Sequence, residues 1–391
     1  MIETIKTLSN ICTYALENKF YNHPIENEKE FYKIAKENGL IGLIFDMLNP
    51  DVLSKEFIRH MQKDYFAYIA SDVKQTDAIS KLNLLFNQNQ IKHIFLKGSR
   101  LKKIYPNSYM RGMGDIDILV HESDMKKVHE LFKDQGIILE SPSDAHDLFK
   151  MDQTITIEIH PKLYKDFNPK YEKLMKDPWH HTYLIENDEY GLNYEFEVVY
   201  LAYHLAKHLD ASGIGLRSIL DIGVYLDYYH NEIDLERLKK MLKDVNMESF
   251  FSHLVSINII YFNFESLNPF IMTPSLSKER YDEIVLYFVE SGIHGKGKNF
   301  NSFEARYSMH KMRKKKSLSF YISIFFPSYQ SMKGIFPILK TWKVLLPFMW
   351  AFRWFKLLFL NLKTTYKKLK QLNIRKEKVN QVTKIYQDLG L

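Results

Sequence analysis

The sequence predicts an α+β fold, a small mixed β-sheet flanked by helical regions on its N-terminal and C-terminal sides. Three observations carry that prediction. Apolar residues recur at spacings of three and four through residues 1–90 and again from about 195 to 291, the period of an amphipathic helix. From residue 91 the apolar stretches shorten to strand length. One of them, "TITIEIH", alternates strictly, with Ile155, Ile157 and Ile159 facing one way and Thr154, Thr156, Glu158 and His160 the other.

Taken in order, "TIKTLSNICTYALENKF" and "EKEFYKIAKENGLIGLIFDML" read as helices, followed by a longer one from about Ser54 to Asn87. "IKHIFL" is a short apolar strand, and "KGSRLKKIY" a tight turn entering a helix. "DIDILV" is a second strand, and "ESDMKKVHELFKDQG" a helix ending at Gly136. "IILE", "HDLFKM" and "TITIEIH" add three strand candidates. Helices return with "EFEVVYLAYHLAKHL", "LRSILDIGVYLDYY", "DLERLKKMLKDV" and "ESFFSHLVSINIIYF". The predicted division is a helical region over 1–90, a sheet core over 91–190, a helical domain over 191–310 and a basic, aromatic tail over 311–391.

With 391 residues, 46% hydrophobic and 26% charged, the chain has the composition of a globular protein with a sizeable core. Its single cysteine, Cys12, excludes an internal disulfide and any multi-cysteine metal site. The start lacks the basic and continuous apolar regions of a secretory signal, which predicts a cytoplasmic protein. The net charge of +7 is unevenly spread: from Lys311 onward there are 18 Lys and Arg against two acids, Glu377 and Asp388. A basic tail on an acidic body suits nucleic acid or an anionic membrane surface.

The chemistry centres on "GMGDIDILVH". In a strand, Asp115 and Asp117 project to one face, with Ile116 and Ile118 on the other. Two carboxylates this close repel unless a cation lies between them. A solvated strand end or a capping pair is the simpler reading of an isolated D-x-D. Glu158, if its strand lies beside this one, adds a third carboxylate, and three hard oxygen ligands suit magnesium or manganese. The bland alternative for Glu158 is the wet side of a two-faced strand. Upstream, "LKGSRL" sets Gly98 and Ser99 at the start of a predicted helix, a position that binds phosphate well. Taken alone, an ordinary turn is the simpler reading of these two residues, and no P-loop pattern is present.

The order strand, Gly-Ser, helix, D-x-D strand and later strand carboxylate resembles the DNA polymerase β-like nucleotidyltransferase superfamily. More narrowly, "FLKGSRLKKIYPNSYMRGMGDIDILV", "IEIHPKL" and "YHLAKHLDASGIGLRSILDIGVYL" are similar to a family of bacterial proteins termed uncharacterised nucleotidyltransferases. That family shares an L-K-G, a Tyr-Pro, an Arg four residues before the D-x-D and an E-x-H strand. The resemblance covers roughly residues 40 to 310. It implies a nucleotidyltransferase core, with Asp115, Asp117 and Glu158 as catalytic residues and ligands of Mg2+ or Mn2+. It further implies Gly98 and Ser99 on the β- and γ-phosphates of a nucleoside triphosphate, with Lys97, Arg111 and His160 also at the nucleotide. A solvated lysine and a surface ion pair are the alternatives for Lys97 and Arg111. The sequence departs from many superfamily members in offering Glu158 where they have an aspartate; if Glu158 points away, the site holds one metal or is inactive.

His204 and His208 stand four apart on one helix face beside Lys207. The H-E-x-x-H glutamate is missing, because Leu205 holds its place, which argues against a zinc hydrolase. A structurally satisfied histidine pair and, by the resemblance, contact with base or phosphate both remain open. Arg217 and Asp221, also four apart, read as an intrahelical ion pair, or as residues that shape the cleft.

In the tail, residues 317–332 are uncharged but contain Pro327 and fall short of the roughly 20 residues of a spanning helix. Further on, at 100° per residue, Arg353, Lys356, Lys363, Lys367 and Lys370 share one arc of about 100°. Phe348, Phe352, Phe355, Leu358, Phe359 and Leu362 take much of the rest. This predicts a core-packing helix with a wet charged face, or an interfacial helix over 335–372 on an anionic membrane at its cytoplasmic face. Nucleic acid fits less well, because a groove that tracks a backbone does not need such apolar runs. The expected reaction is metal-dependent transfer of NMP from an NTP to an acceptor hydroxyl, releasing pyrophosphate. A non-catalytic scaffold of the same fold at the membrane is the alternative.

Overall fold

The computed structural model describes the chain except residues 144–145, 165–173, 212, 294–299, 314–316, 361–371 and 373. Its centre is a mixed seven-stranded sheet: β1 (His93–Phe95), β2 (Ile116–Val120), β3 (Ile138–Ser141), β4 (Asp147–Lys150), β5 (Thr156–His160), β6 (Thr182–Glu186) and β7 (Glu189–Leu192). The spatial order is β3-β4-β5-β2-β1-β7-β6. β2 runs parallel to β5 and antiparallel to β1, and β7 lies parallel to β1. The α+β expectation holds, with helices on both sides of this sheet. The hairpin of β6 and β7 is an addition to the five predicted strands. It turns at Asn187, whose φ of +51° suits the left-handed region that asparagine tolerates.

Period-2 alternation gives the sheet two different faces. Ile116, Ile118, Ile157 and Ile159 point into an apolar layer with Leu82, Phe86, Val128 and Phe132. Burying each such side chain contributes about 1.5–3 kcal/mol. Leu82 and Phe86 belong to the helix Lys55–Gln88, while Val128 and Phe132 belong to Met125–Asp134, which is ended by Gly136 at φ +71°. Ile94, Leu96 and Leu119 face the opposite way, into a larger core shared with the helix Tyr194–Ala211 and the helices after it.

The 34-residue helix Lys55–Gln88 is capped by Ser54, whose hydroxyl accepts from the Phe57 amide at 3.2 Å. Its first half, with Phe57, Met61 and Tyr65, packs in the larger core, and its second half packs beneath the sheet. The boundary at residue 90 is therefore the end of an element common to both regions. The larger core also takes in Val382, Ile385 and Tyr386 from the last helix, Lys376–Asp388, and Leu389 just after it. Tyr386 Oη donates to the Leu209 carbonyl at 2.7 Å, and Arg375 forms an ion pair with Glu304. The tail thus returns to the body. The segment between, from Ser317 to Leu360, is where most of the exposed large apolar side chains lie.

Candidate functional site

Lys97 stands two residues past the end of β1 and has φ +49° and ψ −117°, backbone space that glycine favours and lysine rarely enters. Strain of this kind costs about 1–3 kcal/mol and persists where the surroundings fix it, often at functional sites. Here its effect is to turn the side chain onto the D-x-D strand. Lys97 Nζ donates to Asp117 Oδ1 at 2.6 Å, and both side chains are nearly buried. His160 Nε2 meets the same oxygen at 2.9 Å. Burial would raise the Asp117 carboxyl, but Lys97 and His160 overcome it and hold the group well below the usual carboxylate range.

The register of β2 and β5 sets Asp117 directly beside Glu158, and Leu119 beside His160. The juxtaposition read from "TITIEIH" is present: Glu158 shares the face of Asp117. His160 Nε2 also lies 3.3 Å from Glu158 Oε2, and His146 Nε2 lies 3.5 Å from Glu158 Oε1. Asp115 is exposed, one residue before β2 begins. Partial desolvation and the charges of Glu158 and Asp117 raise its carboxyl above the usual value. Asp115, Asp117 and Glu158 repel one another, but Asp115 and Asp117 stand outside the one group among the described residues whose ligand atoms close to cation-binding distance. That group is His146, Glu158 and His160, whose ligand atoms all lie within 4.8 Å of one another; carboxylate oxygens alone would suit magnesium or manganese, whereas these two nitrogens suit softer ions. Lys97 competes with any cation for Asp117.

The Gly98–Ser99 turn differs from its prediction. The helix it opens, Gly98–Leu101, is only four residues long, so the axial dipole that would favour phosphate is slight. A Cβ at Gly98 would lie 2.5 Å from Arg111 Nη1 and 2.6 Å from Met113 Cγ, so the missing side chain admits these two residues. Ser99 is buried, and its hydroxyl faces Met113 Sδ at 3.4 Å. Arg111 is neither on the surface nor open to phosphate. Its Nη2 and Nε donate to the two carboxylate oxygens of Asp221 at 2.8 and 3.2 Å, and Tyr105 Oη donates to Asp221 Oδ1 at 2.9 Å. Asp221 is thereby taken from Arg217, its predicted intrahelical partner. The fork of Arg111 ties the approach to the D-x-D onto the helix Leu216–Tyr228.

The helix Tyr194–Ala211 covers the carboxylate face. His204 and His208 meet at 2.8 Å through their Nε2 atoms, as the four-residue spacing predicts. Burial, then the nearby Lys97 and His208, push the His204 imidazole well below its ordinary value, so it is neutral near pH 7. Tyr200, one turn earlier, is buried and feels Lys97, Asp117 and Glu158; burial raises its phenol. Sequence reading missed Tyr200 and His146. The period of the helix could have found Tyr200, four residues before His204. His146 becomes legible only from the antiparallel register that sets Asp147 opposite Ile159.

In the tail, the predicted amphipathic helix is described only in its first part: the helix Leu346–Phe355 continues into a π turn over Lys356–Leu360. Leu362, Lys363, Lys367 and Lys370 lie outside the described residues. Phe348, Phe352, Phe355, Leu358 and Phe359 are exposed. Trp350 and Trp354 donate to the carbonyls of Pro327 and Phe325 at 2.9 and 3.0 Å, joining the two apolar segments to each other. Among the described residues no helix is long and apolar enough to cross a membrane.

The model of a family described as uncharacterised nucleotidyltransferase matches residues 25–262. No curated protein and no solved structure matches the chain. The chain belongs to the uncharacterised nucleotidyltransferase family, which places it among the transferases of nucleotidyl groups.

Proposed function

We propose that the chain transfers NMP from a nucleoside triphosphate to a hydroxyl of an acceptor, using a divalent cation held by Asp115, Asp117 and Glu158. The observation that carries this is the register of β2 and β5, which puts Asp117 and Glu158 side by side while Asp115 stands at the open end of the same strand. A bound cation there supplies positive charge to the triphosphate and lowers the pKa of the acceptor hydroxyl. The acceptor oxygen forms a bond to the α-phosphorus as the bond to the bridging oxygen of pyrophosphate breaks. Glu158 takes the acceptor's proton. Lys97, carried on its strained backbone, holds its ammonium against Asp117 and neutralises phosphate charge as the triphosphate arrives. Gly98 and Ser99 hold the β- and γ-phosphates once Met113 is displaced from above the turn, and His160, His204 and His208 line the nucleotide. Arg111 positions the D-x-D strand through Asp221. The test is pyrophosphate release from each of the four NTPs with Mg2+ or Mn2+ and a cell-extract fraction as acceptor source. Release that is lost in Asp117→Asn supports the reading, and release unchanged in that variant rejects it.

The apolar excursion seats the protein on an anionic membrane surface through residues 335–372, at the cytoplasmic face. Exposed phenylalanines beside Arg353 and Lys356 support this, as does the excess of basic residues from Lys311 onward. Sedimentation with phosphatidylglycerol vesicles is expected, and loss of it in Phe348→Ser/Phe352→Ser/Phe355→Ser; equal sedimentation of this variant rejects the reading.

A further inference from the structure

A cavity of about 1210 Å³ opens between the helices Glu28–Glu37 and Lys55–Gln88 and the loop Gly112–Gly114. Ligand sites commonly measure about 300–1,000 Å³, so it has room for a molecule of substrate size. Its wall is partly aromatic: Tyr32 stacks on His60 at 5.8 Å, and Tyr68 lies against Gly112. A Cβ at Gly112 would come within 2.3 Å of the Tyr68 ring, so this glycine is what lets the loop and the ring share the wall. The loop runs on in sequence into Asp115, so this wall of the cavity lies next along the chain to the carboxylate face.

One charged group in the wall has no evident use within the fold. Arg217 lines the cavity, and its Nε is buried without a hydrogen-bond partner. Asp221, the acid one turn along, is occupied by both nitrogens of Arg111 and by Tyr105. Burial and the neighbouring Arg111 charge hold the Arg217 guanidinium below its ordinary value, the condition of a cation in want of a counter-charge. Of the other ionic groups of the wall, Asp64 is paired with Lys36, Asp72 with Lys102, and Glu28 accepts from Ser54, while Lys29, Lys33 and Glu56 are exposed to solvent. Leaving a buried guanidinium nitrogen unpaired costs stability, which a ligand oxyanion would restore.

We propose that this cavity is the acceptor site, and that the acceptor carries an oxyanion, a phosphate or carboxylate, which pairs with Arg217 while its planar or apolar body lies along Tyr68 and its hydroxyl reaches Asp115. The assignment rests on the transfer reaction proposed above. It names the acceptor's chemical class and separates its pocket from the nucleotide's, which lies over Lys97 and the helix Tyr194–Ala211.

The probes are phenyl phosphate, its uncharged counterpart phenol, and ATP with Mg2+, titrated calorimetrically into the full chain. Phenyl phosphate is expected to bind saturably and phenol about tenfold more weakly or worse, as loss of a charge-assisted pair implies. Arg217→Gln is expected to weaken phenyl phosphate by a similar factor, Arg217→Lys by less, and neither to change ATP binding. Equal affinity for phenol and phenyl phosphate, wild-type affinity in Arg217→Gln, or competitive displacement of phenyl phosphate by ATP each overturns the assignment. Should Arg217→Gln fail to fold, the 13C-methyl resonance of Ile293, which lines the cavity beside Gly39 and Arg217, decides in the wild type: phenyl phosphate is expected to shift it, and an unmoved signal at saturation overturns the proposal. Phenyl phosphate binding with no ATP binding sinks the transfer reaction and leaves an Arg217-dependent oxyanion site.

Discussion

Replacing Lys97 by methionine keeps most of the side chain's volume and removes its ammonium from Asp117. The two groups meet at 2.6 Å, with side-chain exposures of 14% and 11%, so little solvent can take the place of the lost charge. Breaking a buried pair from one side typically costs about 3–5 kcal/mol, because the partner charge stays behind. His160 still reaches Asp117 Oδ1 at 2.9 Å, which places the expected loss near the lower end of that range. Lys97→Met/Asp117→Asn removes both charges and is expected to cost less than the sum of the single changes by more than about 1 kcal/mol. Urea denaturation of the wild type, the two single variants and the double variant gives the coupling energy directly. Additivity within about 0.5 kcal/mol refutes the reasoning, since it means that Asp117 does not depend on Lys97 for its charge.

Other consequences are local. Gly98→Ala drives a Cβ against Arg111 and Met113 and should cost about 1–3 kcal/mol in urea denaturation; a neutral result would mean that the packing over this turn is loose. Glu158→Gln leaves a neutral amide oxygen toward the cation but no proton acceptor, so it should lower the rate of pyrophosphate release by about 10²–10⁴ and weaken cation-dependent nucleotide binding; full activity would remove both the base and the ligand assignment. His253 is buried against Tyr281 Oη at 2.9 Å, and burial lowers its imidazole below the ordinary 6.5. A depressed folded-state pKa means stability that is present above about 6.5 and lost as pH falls through the folded value. Thermal unfolding across pH 7.5 to 5 should therefore steepen toward acid in the wild type and less so in His253→Asn; identical slopes would contradict this.

Much of the carboxylate face was legible because a strand has a period of two. Once "DIDILV" and "TITIEIH" are strands, their acids and isoleucines must part to opposite faces, and parallel pairing puts Glu158 level with Asp117. What could not be read is pairing across long separations. Arg111 and Asp221 lie 110 residues apart, and a local reading instead offers Asp221 to Arg217, four residues away. Packing settles that competition, because Arg111 enters through the gap left by Gly98. The β6–β7 hairpin escaped notice for a related reason: "TYLIENDEYGL" carries acids at both ends of its turn, and β7 gains its place by pairing with β1, nearly a hundred residues earlier. The return of the last helix was hidden in the same way. The charge of the tail is a sum over residues, whereas Val382, Ile385, Tyr386 and Leu389 are held in the core by contacts with helices far upstream.

The most direct test of the account is calorimetric titration of ATP, GTP, CTP and UTP, with and without Mg2+, into the wild type and Asp115→Ala/Asp117→Ala. The account predicts nucleotide binding that requires the cation and disappears in the double variant. Binding by the double variant at wild-type affinity, or none by the wild type to any of the four, would contradict it.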